Sequence, residues 1–222
     1  MKKTKVWIVI PAHNEARNIS NVIDETRKYA NNIVVVDDGS KDKTYEVAKR
    51  KKDIVVLKHI VNLGKGAALK TGCDYVVMNG AEKIVVLDSD GQHDPKEIPR
   101  FLRGLDKYDL IFGYRRLDKK MPFIMKLGNH LINKTTTLLY GIKLNDTQSG
   151  YRAFTSKAYK KIRWESSNYA MESEMIVRAA KSKLKYKEVQ IETIYNDKYK
   201  GTTVIDGAKI ILKLLWWKLT GG

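Results

Sequence analysis

The chain has 222 residues, 43% of them hydrophobic, which suits one domain with a full core plus at most a small appendage and excludes a disordered polymer. Lys and Arg number 42 against 25 Asp and Glu, and the resulting charge of +17 calls for anionic partners without choosing among nucleic acid, a phosphorylated substrate and an anionic membrane surface. A single cysteine, Cys73, excludes an internal disulfide and any multi-cysteine metal site; set in an apolar helical pattern, it reads as a small core residue, and an intracellular compartment is expected.

Lys2, Lys3 and Lys5 lead into only five apolar residues before Pro11, so no signal peptide is expected. No run reaches the roughly 20 apolar residues of a spanning helix, and membrane contact is therefore expected to be peripheral. Residues 6–10 (VWIVI) read as a buried strand ended by Pro11, and residues 12–30 as a helix with Ile19, Val22, Ile23 and Tyr29 on one face. The apolar run 33–36 ends at Asp37 and Asp38, after which a polar turn opens a helix around Tyr45, Val47 and Ala48. A third strand, 54–57, leads through Asn62, Gly64 and Gly66 to another helix. A fourth, 84–87, stops at two acids, and beyond it Asp88, Asp90 and Gln92 present oxygen-bearing side chains at alternate positions. Strands alternating with helices specify an α/β fold with a mainly parallel sheet, right-handed crossovers and a ligand crevice at the carboxyl ends of the strands.

Carboxylates at the end of a buried strand outline a site for a hard cation such as Mg²⁺ or Mn²⁺, which takes one or two protein carboxylates and fills its shell with water and phosphate. An acidic turn accounts for the same residues, since Asp, Ser, Gly and Pro all form turns. Further on, the pattern predicts a helix over 97–105 and a strand over 109–113 ended by Tyr114, Arg115 and Arg116. Residues 117–143 read as one amphipathic helix or a pair, with Lys119, Lys120 and Lys126 among apolar residues and Pro122 suited to a first turn. NDTQSGYRAF (145–154) is a polar loop entering a strand or turn, followed by a helix holding 171–180 and a strand over 186–194. In the tail, Val204, Ile205, Ala208, Ile211, Leu212, Leu215, Trp216 and Leu219 fall on one helical stripe. Paired tryptophans with flanking lysines suit the headgroup boundary of an anionic leaflet, and a helix packed on the domain shows the same stripe.

Four ordered clusters stand at the ends of successive strands: PAHNE (11–15), VVVDDGSKDKT (34–44), NLGKGAA (62–68) and DSDGQHDP (88–95). Through them the chain resembles the family 2 inverting glycosyltransferases of the GT-A, or nucleotide-diphospho-sugar transferase, fold. Within that family it is most similar to dolichyl- and polyprenyl-phosphate sugar synthases of the dolichyl-phosphate mannose synthase type, from Val6 to about Ile194. The resemblance implies a GT-A domain over residues 1–200, which leaves the amphipathic helix read from the tail pattern, 201–222, either to contact a membrane surface or to pack on the domain. It sets Pro11, His13 and Glu15 along the nucleoside, Val36 and Asp38 at the base, and Asp88, Ser89 and Asp90 at the ribose, diphosphate and metal. Gln92 completes the shell of Mg²⁺ or Mn²⁺ with Asp88 and Asp90, Asp37 is either a further contact or only a brace for its loop through accepted backbone N–H bonds, and Lys65 is a candidate phosphate contact. With one cysteine and 4 histidines, zinc at His13 and His93 is not expected.

The same resemblance makes Asp90, Arg115, Asp146 and Glu174 the catalytic candidates, with Asp146 and either Glu172 or Glu174 as acceptor-site or sugar-contacting acids. A sugar hydroxyl acceptor requires a carboxylate base; a phosphate monoester is already anionic at pH 7 and requires cations. Arg115, Lys126 and Lys198 are the expected acceptor-phosphate cations, Lys198 standing where the resembling synthases carry Arg. Arg152 is either a further anion contact or a partner of Asp146. The expected activity is metal-dependent inverting transfer of a hexose from a GDP-mannose- or UDP-glucose-type donor to dolichyl or polyprenyl phosphate, on the cytoplasmic face of a membrane. The rival enzyme uses a sugar hydroxyl with Asp146 or Glu174 as base. A nucleic-acid-binding module accounts for the charge but leaves the strand-end acids repelling phosphates unless a metal intervenes, so no nucleic-acid partner is expected.

Overall fold

The computed structural model describes residues 4–115, 123–168, 170–192 and 204–220, with the side chains of 123–127 and 204–205 outside the description. Arg116, Lys119, Lys120, Pro122 and Lys198 therefore lie outside the described residues, and Lys126 is placed by its backbone alone. The chain runs β1 (Val6–Ala12), α1 (Ile19–Arg27), β2 (Ile33–Asp38), α2 (Thr44–Lys49), β3 (Val55–His59), α3 (Lys65–Met78) and β4 (Lys83–Val86). It continues with α4 (Ile98–Gly104), β5 (Leu110–Arg115), α5 (Phe123–Tyr140), β6 (Arg152–Thr155), α6 (Ser156–Ile162), α7 (Ala170–Lys181), β7 (Tyr186–Ile191) and α8 (Val204–Thr220).

The strands form one 7-stranded sheet in the order β3-β2-β1-β4-β6-β5-β7. All pairs are parallel except those of β6, which runs antiparallel between β4 and β5. Alternate residues of the apolar strands feed two cores, as a sheet covered on both faces requires. Trp7, Val9, Val34, Val36, Ile84 and Val86 pack with residues of α3, α6 and α7, and Ile8, Ile10, Ile33, Val35 and Val85 pack with residues of α1 and α4.

Two local expectations are corrected. Pro11 does not end β1: it pairs with Val36 inside the strand. Ile8 N–H bonds toward β2 and the Val9 carbonyl accepts from Leu87 on the β4 side, so Pro11 also faces β4, whose ladder stops at Val86. A missing N–H is harmless there. The first helix begins at Ile19 rather than at 12, and Thr26, not Tyr29, completes its buried face, leaving Tyr29 exposed. Residues 13–18 are held as a loop because they are stitched to the segment after β2: Glu15 N–H donates to Thr44 Oγ1 and Ala16 N–H to Asp42 Oδ2.

The tail forms the expected helix but turns a different side inward. Ile210 and Leu214 are buried with Ile132 of α5 and Val177 of α7, and Tyr140 Oη donates to the Leu214 carbonyl at 2.6 Å. Leu212, Leu215, Trp216 and Leu219, members of the predicted stripe, are 42% to 83% exposed. The helix carries two apolar seams about one residue apart, and periodicity cannot choose between them; packing against α5 and α7 does. A concrete consequence is that Leu214→Ala should lower the unfolding free energy by about 2–4 kcal/mol, whereas Leu212→Ala should stay within about 0.5 kcal/mol of the parent. Urea denaturation followed by far-UV circular dichroism distinguishes the two, and equal losses would mean the seam is misassigned.

Candidate functional site

The carboxyl ends of β1, β2, β3 and β4 meet in one crevice, and hydrogen bonds join the four clusters there. His13 Nδ1 donates to the Asp38 carbonyl (2.8 Å), which leaves Nε2 to accept from the Asn14 and Asn62 amides, each at 3.0 Å. The Asp38 carboxylate is occupied: it accepts from Leu63 N–H (2.9 Å), Gly64 N–H (2.8 Å) and His59 Nδ1 (2.8 Å). The bracing expected of Asp37 is thus performed by Asp38. Asp37 is fully buried, and neither of its carboxylate oxygens has a hydrogen-bond partner among the described residues. Glu15 is buried and accepts from Asn18 Nδ2, while Pro11 and Val36 are buried opposite one another in the sheet.

The acidic centre lies where β4 ends. Asp88 N–H donates to His93 Nδ1 (3.1 Å), and Asp90 Oδ1 accepts from Gln92 N–H (3.0 Å), so the two acids are set by a short local turn. His93 stacks on Tyr151 (4.9 Å between ring centroids), itself stacked on Phe101. Burial pushes the His93 pKa down to about 4, so at neutral pH it is an uncharged acceptor behind Asp88. Burial disfavours the Asp88 carboxylate, but the charge and hydrogen bond of Lys65, with Arg115 behind it, outweigh it and hold its pKa below the usual value. The Asp90 pKa is raised, by burial first and then by the charge of Asp88. Ser89 is buried between them.

Two adjacent acids, one of them made less acidic by the other, form a donor set that gains from a divalent cation. Among the described residues no three His, Cys, Asp or Glu side chains converge. Asp88 and Asp90 are hard oxygen donors, the kind that an Mg²⁺ or Mn²⁺ ion takes in ones and twos while leaving much of its shell to water and phosphate oxygens.

On the opposite wall, Arg115 at the end of β5 grips Asp146 with Nε to Oδ2 at 2.7 Å and Nη2 to Oδ1 at 3.2 Å. Gln148 N–H and Asn129 Nδ2 also donate to Asp146 Oδ1. Burial opposes the Asp146 charge, yet the Arg115 guanidinium and these hydrogen bonds lower its pKa. Of the two acids in MESEM, Glu172 is the one aimed at the acidic centre, with Lys65 Nζ 3.2 Å from its Oε1. Glu174 faces the 165–166 turn, where it accepts from Glu165 N–H, Ser166 N–H and Arg178 Nε, each at 2.8 Å. Despite burial, those bonds lower its pKa.

Arg152 neither pairs with Asp146 nor reaches out to an anion. It is 1% exposed and donates to the carbonyls of Thr147, Ser149 and Glu172. His59 and Asn129 escaped the sequence reading; the only signal for His59 was a polar residue ending a strand, and Asn129 lies in a helix whose register is not visible from its apolar pattern.

This crevice at the carboxyl edge of a parallel sheet, with paired acids at a strand end, defines a nucleotide-diphospho-sugar transferase of the GT-A type. The chain matches the family described as "Glycosyl transferase family 2" over residues 7–163, and it belongs to that family. It is 34% identical to the UDP-N-acetylglucosamine–dolichyl-phosphate N-acetylglucosaminyltransferase of Methanococcus voltae, over 96% of each chain. It is 28% identical to a polyprenol monophosphomannose synthase of Mycolicibacterium smegmatis, over 98% of this chain and 88% of the relative. Glucosyl-3-phosphoglycerate synthase of Mycobacterium tuberculosis, crystallised with Mn²⁺, UDP and glucosyl-3-phosphoglycerate, superposes with a TM-score of 0.73 at 17% identity, covering 99% of this chain and 80% of its own. The protein is a glycosyltransferase with the GT-A fold.

The Arg115–Asp146 pair carries a pH signature. Because the folded-state pKa of Asp146 is depressed, its contribution is present above the unfolded value, about 3.9, and is lost as pH falls through the lower folded value. The difference in unfolding free energy between the parent and Asp146→Asn should be flat from pH 8 to about 5 and shrink below about pH 4. Urea titrations at a series of pH values test this; a difference that grows on acidification would contradict the pairing.

Proposed function

We propose that this glycosyltransferase moves a hexose from a nucleoside diphosphate sugar to the phosphate of a polyprenyl or dolichyl phosphate, with inversion at the anomeric carbon. The observation that carries the reading is that Asp88 and Asp90 at the end of β4 and Arg115 at the end of β5 edge one crevice, joined by a single loop whose Asp146 takes Arg115 Nε at 2.7 Å and whose Gly150 would set a Cβ 2.8 Å from Asp88 Oδ2. Pro11, His13, Glu15, Val36, Asp38, Lys65, Asp88 and Ser89 are the proposed donor contacts. Asp88, Asp90 and Gln92 would hold Mg²⁺ or Mn²⁺, and such an ion supplies Lewis-acid stabilisation of a departing diphosphate.

The acceptor phosphate is anionic at neutral pH. Its oxygen forms the new bond to the anomeric carbon as the bond from that carbon to the diphosphate oxygen breaks, and no proton has to be removed. Cations are what such an acceptor needs, and Arg115, Lys126 and Lys198 are proposed for that role, Arg115 already oriented by Asp146. A hydroxyl acceptor would instead need Asp146 or Glu174 as base. Both are committed to hydrogen bonds and weakened as bases by lowered pKa values, which supports the phosphate acceptor. The dolichyl phosphate in the name of the Methanococcus relative supports it as well. The donor is proposed as a UDP- or GDP-hexose.

Among the described residues no helix is long and apolar enough to cross a membrane. The outward seam of α8, with Leu212, Leu215, Trp216 and Leu219 exposed beside Lys209 and Lys218, is proposed to rest on the anionic cytoplasmic leaflet, where the lipid acceptor is met.

Incubation with Mn²⁺ or Mg²⁺ and a panel of UDP- and GDP-sugars, with and without a short polyprenyl phosphate, should give acceptor-dependent nucleoside diphosphate release with one of them. Its absence with every donor would sink the lipid-phosphate reading. Arg115→Met should cut acceptor-dependent transfer about 100-fold, the cost of a charge-assisted hydrogen bond, and change donor hydrolysis only a few-fold.

In vesicle sedimentation, Trp216→Glu combined with Leu219→Glu should weaken binding to anionic vesicles about tenfold or more. Equal binding by the parent would remove α8 from the membrane contact.

A further inference from the structure

Lys65 is the first residue of α3, a position whose free amides and dipole favour an anion over a cation. The amides are covered instead by the chain itself, Gly66 and Ala67 N–H donating to the Ser167 carbonyl at 2.7 and 3.2 Å. The ammonium reaches into the crevice, 2.8 Å from Asp88 Oδ1, 3.1 Å from Asp88 Oδ2 and 3.2 Å from Glu172 Oε1. Gly150 closes another side: a Cβ there would stand 2.7 Å from Lys65 Nζ and 2.8 Å from Asp88 Oδ2. A local preference broken in favour of a half-buried ion bridge marks a position kept for function.

Both oxygens of Asp88 thus face an ammonium, and a divalent ion at Asp88 has to share or displace it. Glu172 offers Lys65 a second carboxylate, so the ammonium can leave Asp88 without losing its counter-charge. We propose that Lys65 is a resident cation that withholds Asp88 from divalent ions until a nucleoside diphosphate enters, and that Glu172 receives the ammonium when Asp88 turns to the metal. This rests on the metal and nucleotide reading of the crevice given above. The diphosphate tips the balance because its oxygens complete the ion's shell and its charge offsets the crowding of two cations. Donor and metal then bind together, and the empty protein binds divalent ions poorly.

Mn²⁺ binding, read from loss of the free-ion electron paramagnetic resonance signal, tests this in the full chain with and without UDP or GDP. In the free parent, binding should be weak and the nucleotide should strengthen it. Lys65→Met should bind Mn²⁺ about tenfold or more tightly without nucleotide and lose most of the nucleotide's enhancement, while Lys65→Arg stays weak. Glu172→Gln, which leaves the ammonium no second carboxylate, should weaken Mn²⁺ in the nucleotide complex and carries the test if Lys65→Met does not fold. Nucleotide-dependent Mn²⁺ binding in the parent, with nucleotide-free Lys65→Met no tighter than the parent or Glu172→Gln unchanged, overturns the gating role alone. No Mn²⁺ binding by the parent with either nucleotide overturns the metal reading and the gating role together.

Discussion

The crevice depends on one buried arginine. Arg152 spends its guanidinium on three backbone carbonyls, of Thr147, Ser149 and Glu172, with the face of Phe112 5.2 Å away. Burial lowers its pKa to about 10, so the charge persists at neutral pH. Carbonyls diverging from a loop and from the start of a helix suit a planar fork, and a lysine would satisfy fewer of them. The Thr147 and Ser149 carbonyls come from a buried loop rather than a helix or ladder, and satisfying them offsets part of the cost of desolvating the charge. Arg152 also opens β6, opposite Val86 of β4 and Phe112 of β5. Because β6 is antiparallel, its first residue lies at the carboxyl ends of its neighbours, and the loop that feeds it is delivered to the crevice. Asp146 meets Arg115 and Gly150 meets Asp88 for this reason.

The charges of the crevice are sorted differently from those of the surface. Lys65 is matched by Asp88 and Glu172, Arg115 by Asp146, and Arg152 by carbonyl dipoles. These partners are buried or half-buried, so screening by salt touches them little. The exposed ion pairs, such as Lys28 with Glu25, are worth little to stability. A chain charge of +17 sets a positive field that favours anions in general, while the paired groups inside the crevice are locally balanced.

The first four strands and the clusters at their ends were legible because each cluster follows a continuous apolar strand, and a polar residue at the end of such a strand has few places to go but the crevice. Details failed where two local solutions were equally good. Asp37 and Asp38 are neighbours on one strand, and only the pleat decides that Asp38 reaches the Leu63 and Gly64 amides. Glu172 and Glu174 point to different sides of α7, and the choice between them depends on where α3 lies. Arg152 read as an anion contact or a partner of Asp146 because its true partners are carbonyls, which no residue pattern announces. The antiparallel placement of β6, four residues long, left no periodic trace, and the buried seam of α8 was set by helices distant in sequence.

These failures share a cause that bears on the acceptor half. A carboxylate beside a guanidinium reads equally well as a base or as a counter-ion, and the distinction lies in whether anything else holds it. Asp146 is held by an arginine and the Gln148 amide, and Glu174 by two amides and an arginine. An enzyme whose nucleophile arrives ionised has no need to keep a basic carboxylate free, and can use its acids to aim its cations. Lys65 shows the same economy at the end of β4, where one ammonium is held by Asp88 and Glu172 together. The pairing of acids with fixed cations in this crevice is therefore the arrangement expected when both substrates bring their own negative charge.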